Sequence, residues 1–434
     1  MPMSASFAKR LLPILDGIAN EFGTPFHLYD EAGIVEDGHR LNELFAAVAG
    51  FREFYAVKAL PNLRILEILK RELGFGFDCS SIPELKMARS LGAQPGDIMF
   101  TSNNTSPAEY VEALGDGGCI LNLDDASFVD KAPSIPELIC FRYNPGTMGI
   151  GNTVIGKPQE AKFGLRRDQL EAAYVRARER GAKRFGLHAM VVSNEHRYRR
   201  VVATVEMLLR TCSEISASTG IRFEFVNIGG GLSIPYRPTD KPFNLAAFAR
   251  RCAKLFAQFK REHGYAPKMF MECGRLITGP HGVLVTQVLN VMSKYRDYVG
   301  VDACISSLMR IAMYKTAYNH ITVVGRDGQE KRNVAGEVNV VGSLCENNDT
   351  FAKQMPLASV EEGDYLVIHD TGAHGHSMGF QYNGRLRPQE LLLRRDGSVE
   401  LIRRAETMED YLSTQLKLEP HVFNVPRVKV QDHH

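Results

Sequence analysis

Four short stretches carry residue types able to do covalent and acid–base chemistry. Lys58 ends the apolar run Phe54-Tyr-Ala-Val. A lysine where an apolar strand stops would be desolvated, which depresses its pKa and suits Schiff-base formation; alone, it reads more readily as a surface lysine. Gly229-Gly230-Gly231 closes Phe225-Val-Asn-Ile, and residues without side chains let backbone N–H groups approach a phosphate, or simply make a tight turn. In Glu272-Cys273-Gly274-Arg275 the carboxylate suits a protonated ring nitrogen, and the guanidinium suits a phosphate or carboxylate. The bland alternative is a Glu–Arg ion pair. Cys345-Glu346, with Asp349 close by, offers a thiol to donate a proton and carboxylates to hold an ammonium. A cysteine read alone is more often a small buried hydrophobe, as His188 alone is a core histidine rather than a ring-stacking one.

Such groups need elements to bring them together. Apolar runs at Phe54–Val57, Phe75–Asp78, Ile120–Leu123, Ile139–Tyr143, Arg184–Met190, Phe223–Ile228 and Lys268–Glu272 predict buried strands. Three-to-four-residue apolar spacing between them predicts helices at Leu63–Glu72, Pro83–Leu91, Arg167–Arg180 and Phe243–His263. The alternation implies βαβ units and a parallel sheet, either a (β/α)₈ TIM-like barrel or a doubly wound sheet. Lys58, Gly229 and Glu272 all fall at strand C-terminal ends, where barrels carry their chemistry. Beyond about residue 290 the pattern changes to short strands separated by Gly-containing turns such as Gly325-Arg-Asp-Gly. This predicts a mainly antiparallel β domain, joined by the N-terminal strand Pro25–Tyr29. The expected division is a barrel over 38–290 and a β domain from 1–37 and 291–434.

Composition narrows the function. The 434 residues are 44% hydrophobic and 24% charged, with a formal charge of +2. That near-balance gives no basic surface for nucleic acid, and no apolar run is long enough for a membrane span. The first residues lack the apolar core of a secretory signal. Eight scattered cysteines without a C-x-x-C pair point away from disulfides and metal sites and toward a cytoplasmic protein with reduced thiols.

Taken in order, the motifs resemble the fold-type III pyridoxal-phosphate (PLP) decarboxylases, specifically the diaminopimelate decarboxylases. The resemblance covers roughly Thr24 to Gln415. It rests on Tyr55-Ala-Val-Lys58, Asp78-Cys-Ser-Ser, His188, Gly229-Gly-Gly-Leu-Ser-Ile-Pro-Tyr, Glu272-Cys-Gly-Arg275, Met309-Arg310-Ile-Ala-Met-Tyr314, Cys345-Glu346, Gly372-Ala-His-Gly and Tyr382-Asn-Gly-Arg385-Leu-Arg-Pro. It implies the alanine racemase/ornithine decarboxylase-like combination of barrel and β domain, PLP as cofactor, and a head-to-tail homodimer with shared sites. Lys58 is then the Schiff-base lysine, and His188 stacks on the pyridine face. Asp78, Gly229, Gly230, Gly231 and Glu272 to Arg275 (through Cys273 and Gly274) hold the cofactor, with Glu272 at the ring nitrogen. Arg275, Arg310, Tyr314 and Glu346 bind substrate, Tyr382 touches both, and Cys345 reaches in from the partner subunit as general acid.

The sequence also departs from the family. His188-Ala-Met-Val replaces a usual His-x-Gly-Ser, Ser306-Ser307 an Asn-Asp pair, Ile311 a proline, Lys315 a glycine and His374 a frequent tyrosine. Several of these adjoin residues that would bind the distal end of a substrate. The expected reaction is decarboxylation of meso-diaminopimelate to L-lysine in amino-acid biosynthesis. D-lysine, D-ornithine or a carboxylated polyamine are rival substrates, and an amino-acid racemase or a non-catalytic PLP-binding regulator are rival classes.

Overall fold

The computed structural model describes residues 2–146, 157–314 and 316–415. Lys315 and the terminal Asp432-His-His lie outside them. Strand β1 (Phe26–Asp30) is followed by eight strands: β2 (Arg52–Ala56), β3 (Gly76–Cys79), β4 (Ile98–Phe100), β5 (Ile120–Leu123), β6 (Leu138–Arg142), β7 (Arg184–His188), β8 (Phe223–Asn227) and β9 (Lys268–Met271). These eight pair in parallel and close, β9 against β2, into a barrel. The helices between them follow local chemistry. Helix Leu63–Leu73 is capped by the Asn62 side chain, ends at left-handed Gly74, and buries Ile65, Leu66, Leu69 and Leu73 along one stripe. Helix Pro107–Leu114 starts on a reciprocal Ser106–Glu109 capping box.

The barrel interior is closed at one end by side-chain volume. Phe54, Met99, Ile120, Cys140, Phe225 and Phe270 form one buried cluster, with Phe225 and Phe270 stacked at 4.4 Å between centroids. Glycines make room for the rings: a Cβ on Gly186 would lie 2.1 Å from the Phe225 ring, and one on Gly76 would lie 2.7 Å from Phe54. The floor is therefore packed, and the open end is the C-terminal one.

The second domain is a sheet built on β10 (Gly282–Ser293), β11 (Asp297–Val301), β12 (Ile321–Val324), β13 (Glu330–Lys331), β14 (Val334–Val341), β15 (Thr350–Ala358), β16 (Tyr365–Ile368), β17 (Gln389–Leu393) and β18 (Val399–Arg403). Its main path runs β13-β12-β16-β10-β1-β17-β18, with β11, β14 and β15 extending from β10. All pairs are antiparallel except β1 with β17 and β11 with β14. The N-terminal strand joins this sheet at its centre, and helices Ala5–Leu11 and Leu15–Phe22 cover it through Phe7, Leu11, Leu15 and Ile18.

The expected boundaries shift. Helix Glu31–Phe45 packs against the barrel helices Leu63–Leu73 and Leu245–His263, and β10 already belongs to the sheet from Gly282. The boundary read at 290 falls inside β10, which pairs with β1 from Gly282 onward.

Candidate active site

The barrel mouth opens into a cavity of about 380 Å³ beneath the edge of the β domain. Lys58, Asp78, His188, Gly230, Gly231, Glu272, Gly274, Arg275, Arg310 and Tyr314 all line it. Each barrel contributor follows from its strand. Lys58 stands in a single 3-10 turn, Val57–Ala59, directly after β2. Asp78 and His188 lie at the ends of β3 and β7, and Glu272 follows β9.

Acids sit deep in this site. Asp78 is fully buried, with one carboxylate oxygen 3.7 Å from Lys58 Nζ and the other without a partner among the described residues. Burial, helped by Glu272, raises its carboxyl, while Lys58 opposes the rise. Glu53, below the mouth, accepts from the Cys273 backbone N–H, and burial raises it to about 8. Glu272 differs. Burial alone would raise it, yet His188 and then Lys58 take it below the usual value. Its Oε1 accepts from Asn227 Nδ2 at 2.7 Å, and Oε2 lies 3.3 Å from His188 Nε2. Asn227 Oδ1 in turn accepts from the Gly229 N–H at 2.9 Å, so the glycine turn and the carboxylate share one brace.

The glycines are required by close approach. A Cβ on Gly230 would stand 2.1 Å from the Glu272 carbonyl oxygen, and one on Gly231, at φ +88°, would stand 2.1 Å from the Val192 carbonyl. Cations line the other wall. Arg310 is only 7% exposed; its Nη1 donates to Asn319 Oδ1 at 2.9 Å and to the Tyr318 carbonyl at 3.4 Å. Arg275 donates to the Tyr236 hydroxyl, whose ring carries the Arg310 guanidinium at 4.0 Å.

Two expectations need correction. Lys58 does not lie in an apolar setting: its side chain is 54% exposed toward the mouth and its neighbour is a carboxylate, because the 3-10 turn carries it past the packed floor. Asp349 holds no free carboxylate, since its oxygens accept from the Ile305 and Leu344 backbone N–H groups at 2.7 and 2.6 Å. Burial with two backbone donors makes it an anchor for the loop beside it.

Cys345, Glu346 and Tyr382 do not line the cavity. All three are exposed, and Glu346 borders a separate groove with Met309, Met313 and Phe380. They still form one patch, because the Cys345 N–H donates to Asn383 Oδ1 at 2.8 Å and Arg385 to the Ser343 carbonyl at 3.0 Å. Sequence reasoning overlooked Asn227, Tyr236, Asn319 and the buried pair Arg142–Asp124, 3.4 Å apart at the cavity wall. Asn227 and Tyr236 flank the glycine run and were open to notice; Asn319 had no local signal.

Residues 32–279 match the pyridoxal-binding domain of the pyridoxal-dependent decarboxylases. The chain belongs to that family. This decarboxylase is 44% identical over 427 residues to Protein TabA of Pseudomonas amygdali pv. tabaci, covering 98% of this chain and 99% of that one. It is 36% identical over 405 residues to the diaminopimelate decarboxylase of Methanothermobacter thermautotrophicus, covering 92% and 93%. The structure of M. jannaschii diaminopimelate decarboxylase in complex with L-lysine superposes with a TM-score of 0.84 at 27% identity, covering 93% and 94% of the two chains. The decarboxylase is thus a PLP-dependent amino-acid decarboxylase of the barrel-plus-sheet type. The residues present fit PLP. Among the described residues an Asp78 oxygen and His188 Nδ1 are buried without a partner, and they face a site with ionised Glu272 on one side and Arg275 and Arg310 on the other. That polarity suits a ligand with a cationic ring nitrogen at one end and a phosphate at the other.

Proposed function

We propose that this enzyme decarboxylates meso-diaminopimelate to L-lysine and CO₂, as a cytoplasmic homodimer serving lysine biosynthesis. Arg310 carries the substrate reading. It is a buried guanidinium in the cavity wall whose two hydrogen-bond acceptors, Asn319 Oδ1 and the Tyr318 carbonyl, are both neutral. A buried cation is costly without an anion. Asp370 favours its charge through space, but burial pushes that carboxyl itself up to about 8, so beside Arg275 the guanidinium fits the carboxylate of diaminopimelate that survives the reaction. The relatives named diaminopimelate decarboxylase support the same reading.

Bound PLP supplies an electron sink for the pair freed when CO₂ leaves. Around it, Lys58 provides the amine for covalent attachment, and Gly229, Gly230, Gly231, Cys273 and Gly274 provide a close-fitting backbone cradle. Glu272, braced by Asn227 and His188, keeps negative charge where the ring nitrogen would lie. Asp78 offers Lys58 a carboxylate that takes or shares its proton. Arg275, Arg310 and Tyr314 orient the substrate.

Cys345, Glu346 and Tyr382 act on the site of a second copy, with the Cys345 thiol returning a proton to the α-carbon. Their support is their exposure: Cys345 is the single exposed cysteine of the eight, and it shares a patch with Tyr382 outside its own cavity. Identity to Protein TabA, a name that states no substrate, exceeds that to the diaminopimelate decarboxylase above, so a second reading, decarboxylation of another diamino acid, stands beside the first. The test is CO₂ release from meso-diaminopimelate and from D- and L-lysine, ornithine and arginine. Release from diaminopimelate alone supports the first reading, and release from a monocarboxylic amino acid instead replaces it with the second.

A further inference from the structure

Arg275 and Arg310 line one cavity, and two guanidinium groups at close quarters repel. Tyr236 lies between them. Its hydroxyl accepts from Arg275 Nη1, and its ring face carries Arg310 at 4.0 Å, while Arg275 stands farther off at 5.7 Å, nearer the rim. One side chain therefore offers each cation a different electron-rich surface, an oxygen lone pair and a π face.

Tyr236 is itself fixed. It is only 4% exposed. The segment before it is tied to Glu195 through the Ser233 N–H at 3.2 Å and to His196 Nδ1 through the Ser233 hydroxyl at 2.9 Å. Ile234 fits against Gly279, where a Cβ would lie 2.9 Å from it. On the far side, Arg237 stacks on the Tyr318 ring at 4.0 Å, and the Tyr318 carbonyl accepts from Arg310. Asn319 completes the frame by donating to the His369 carbonyl at 2.7 Å. Two interleaved Arg–Tyr pairs thus join the loop after the glycine run to the loop around Arg310.

We infer that Tyr236 is a positioning residue that sets the spacing of Arg275 and Arg310, and with it the reach of the carboxylate the enzyme accepts. This rests on the proposed assignment of the two arginines to the substrate. Tyr236→Phe removes the bond to Arg275 and keeps the face under Arg310; Tyr236→Leu removes both.

The test compares the holoenzyme with Tyr236→Phe, Tyr236→Leu and Arg310→Ala. It measures the Kd of L-lysine by calorimetry, KM and kcat for diaminopimelate, and the visible absorbance of bound cofactor. The expected result is a Kd and KM raised roughly tenfold in Tyr236→Phe and further in Tyr236→Leu, with kcat changed less than about threefold and the absorbance retained. Wild-type Kd and KM in Tyr236→Leu, with both raised in Arg310→Ala, would overturn the role of Tyr236 and leave the arginine assignment standing. Wild-type values in all variants would overturn both. Loss of absorbance, or a fall in kcat matching the rise in KM, would make Tyr236 a structural residue only.

Discussion

Glu272 and His188 meet at the barrel mouth, Oε2 to Nε2 at 3.3 Å, while Asn227 holds the other carboxylate oxygen at 2.7 Å. Two strand ends and a glycine turn thereby share one charged group, and that group stays ionised although it is buried. A carboxylate held in this state keeps a ring nitrogen protonated.

Glu272→Gln keeps the shape and removes the charge. Turnover should fall at least about a hundredfold, the scale of losing one preorganised charge contact, while KM changes little. Steady-state kinetics on the PLP-loaded enzyme check this, and wild-type turnover would show that another group serves the nitrogen.

Lys58 stands in the turn after β2 with its amine toward the cavity. In Lys58→Ala, borohydride treatment should leave no cofactor covalently attached, whereas wild type should yield a labelled Lys58 peptide by mass spectrometry. A label elsewhere in the wild-type chain would remove Lys58 from the chemistry.

Cys345 and Lys58 lie on different surfaces of one chain. If each site is shared, Cys345→Ala and Lys58→Ala are both inactive alone, and mixing them with subunit exchange should restore about a quarter of wild-type activity, because a two-fold dimer then holds one intact site in half of its copies. No recovery despite exchange, seen by native mass spectrometry, would mean that a single chain supplies both residues of a site.

Glu390 ties the domains together near the site. It accepts from Tyr29 at 2.6 Å, from Asn62 at 3.0 Å and from Arg403. Burial would raise its carboxyl, but His376, Arg403 and Tyr29 hold it down at about 2. A depressed folded value means stability that is present above the ordinary value of 4.5 and lost as pH falls toward about 2. Glu390→Gln should cost about 2 kcal/mol at neutral pH, after discounting for the partial exposure of Arg403. In denaturant titrations the gap to wild type should narrow as pH drops below about 4.5; a constant gap would mean that the charge contributes nothing.

Much of this was legible in the sequence. Seven of the eight barrel strands carry apolar runs long enough to recognise, and β4 escaped because it is three residues long. That the N-terminal strand joins the second sheet was legible, but not its place inside it, and strands such as β11 and β15 are hard to read because exposed faces and irregular register dilute alternation. At the site, Lys58, Gly229 and Glu272 stood out by their place at strand ends, whereas Asp78 and the ring-stacking role of His188 came only with the family resemblance. Asn319, the anchoring role of Asp349 and the two arginines that meet at Tyr236 depend on contacts between distant loops, which local pattern does not encode.

The position of β1 also orders the events of synthesis. Phe26 pairs with Gln389 and with Val285, so on the ribosome the strand emerges long before its neighbours exist. At translation speeds of about 5–20 residues per second, it waits on the order of 20–70 s for β17. Over that interval the barrel, whose strands lie between the two, has all of its sequence available. The growing chain should therefore complete its catalytic half first, with β1 and its covering helices held open as a sticky apolar edge that a chaperone would meet.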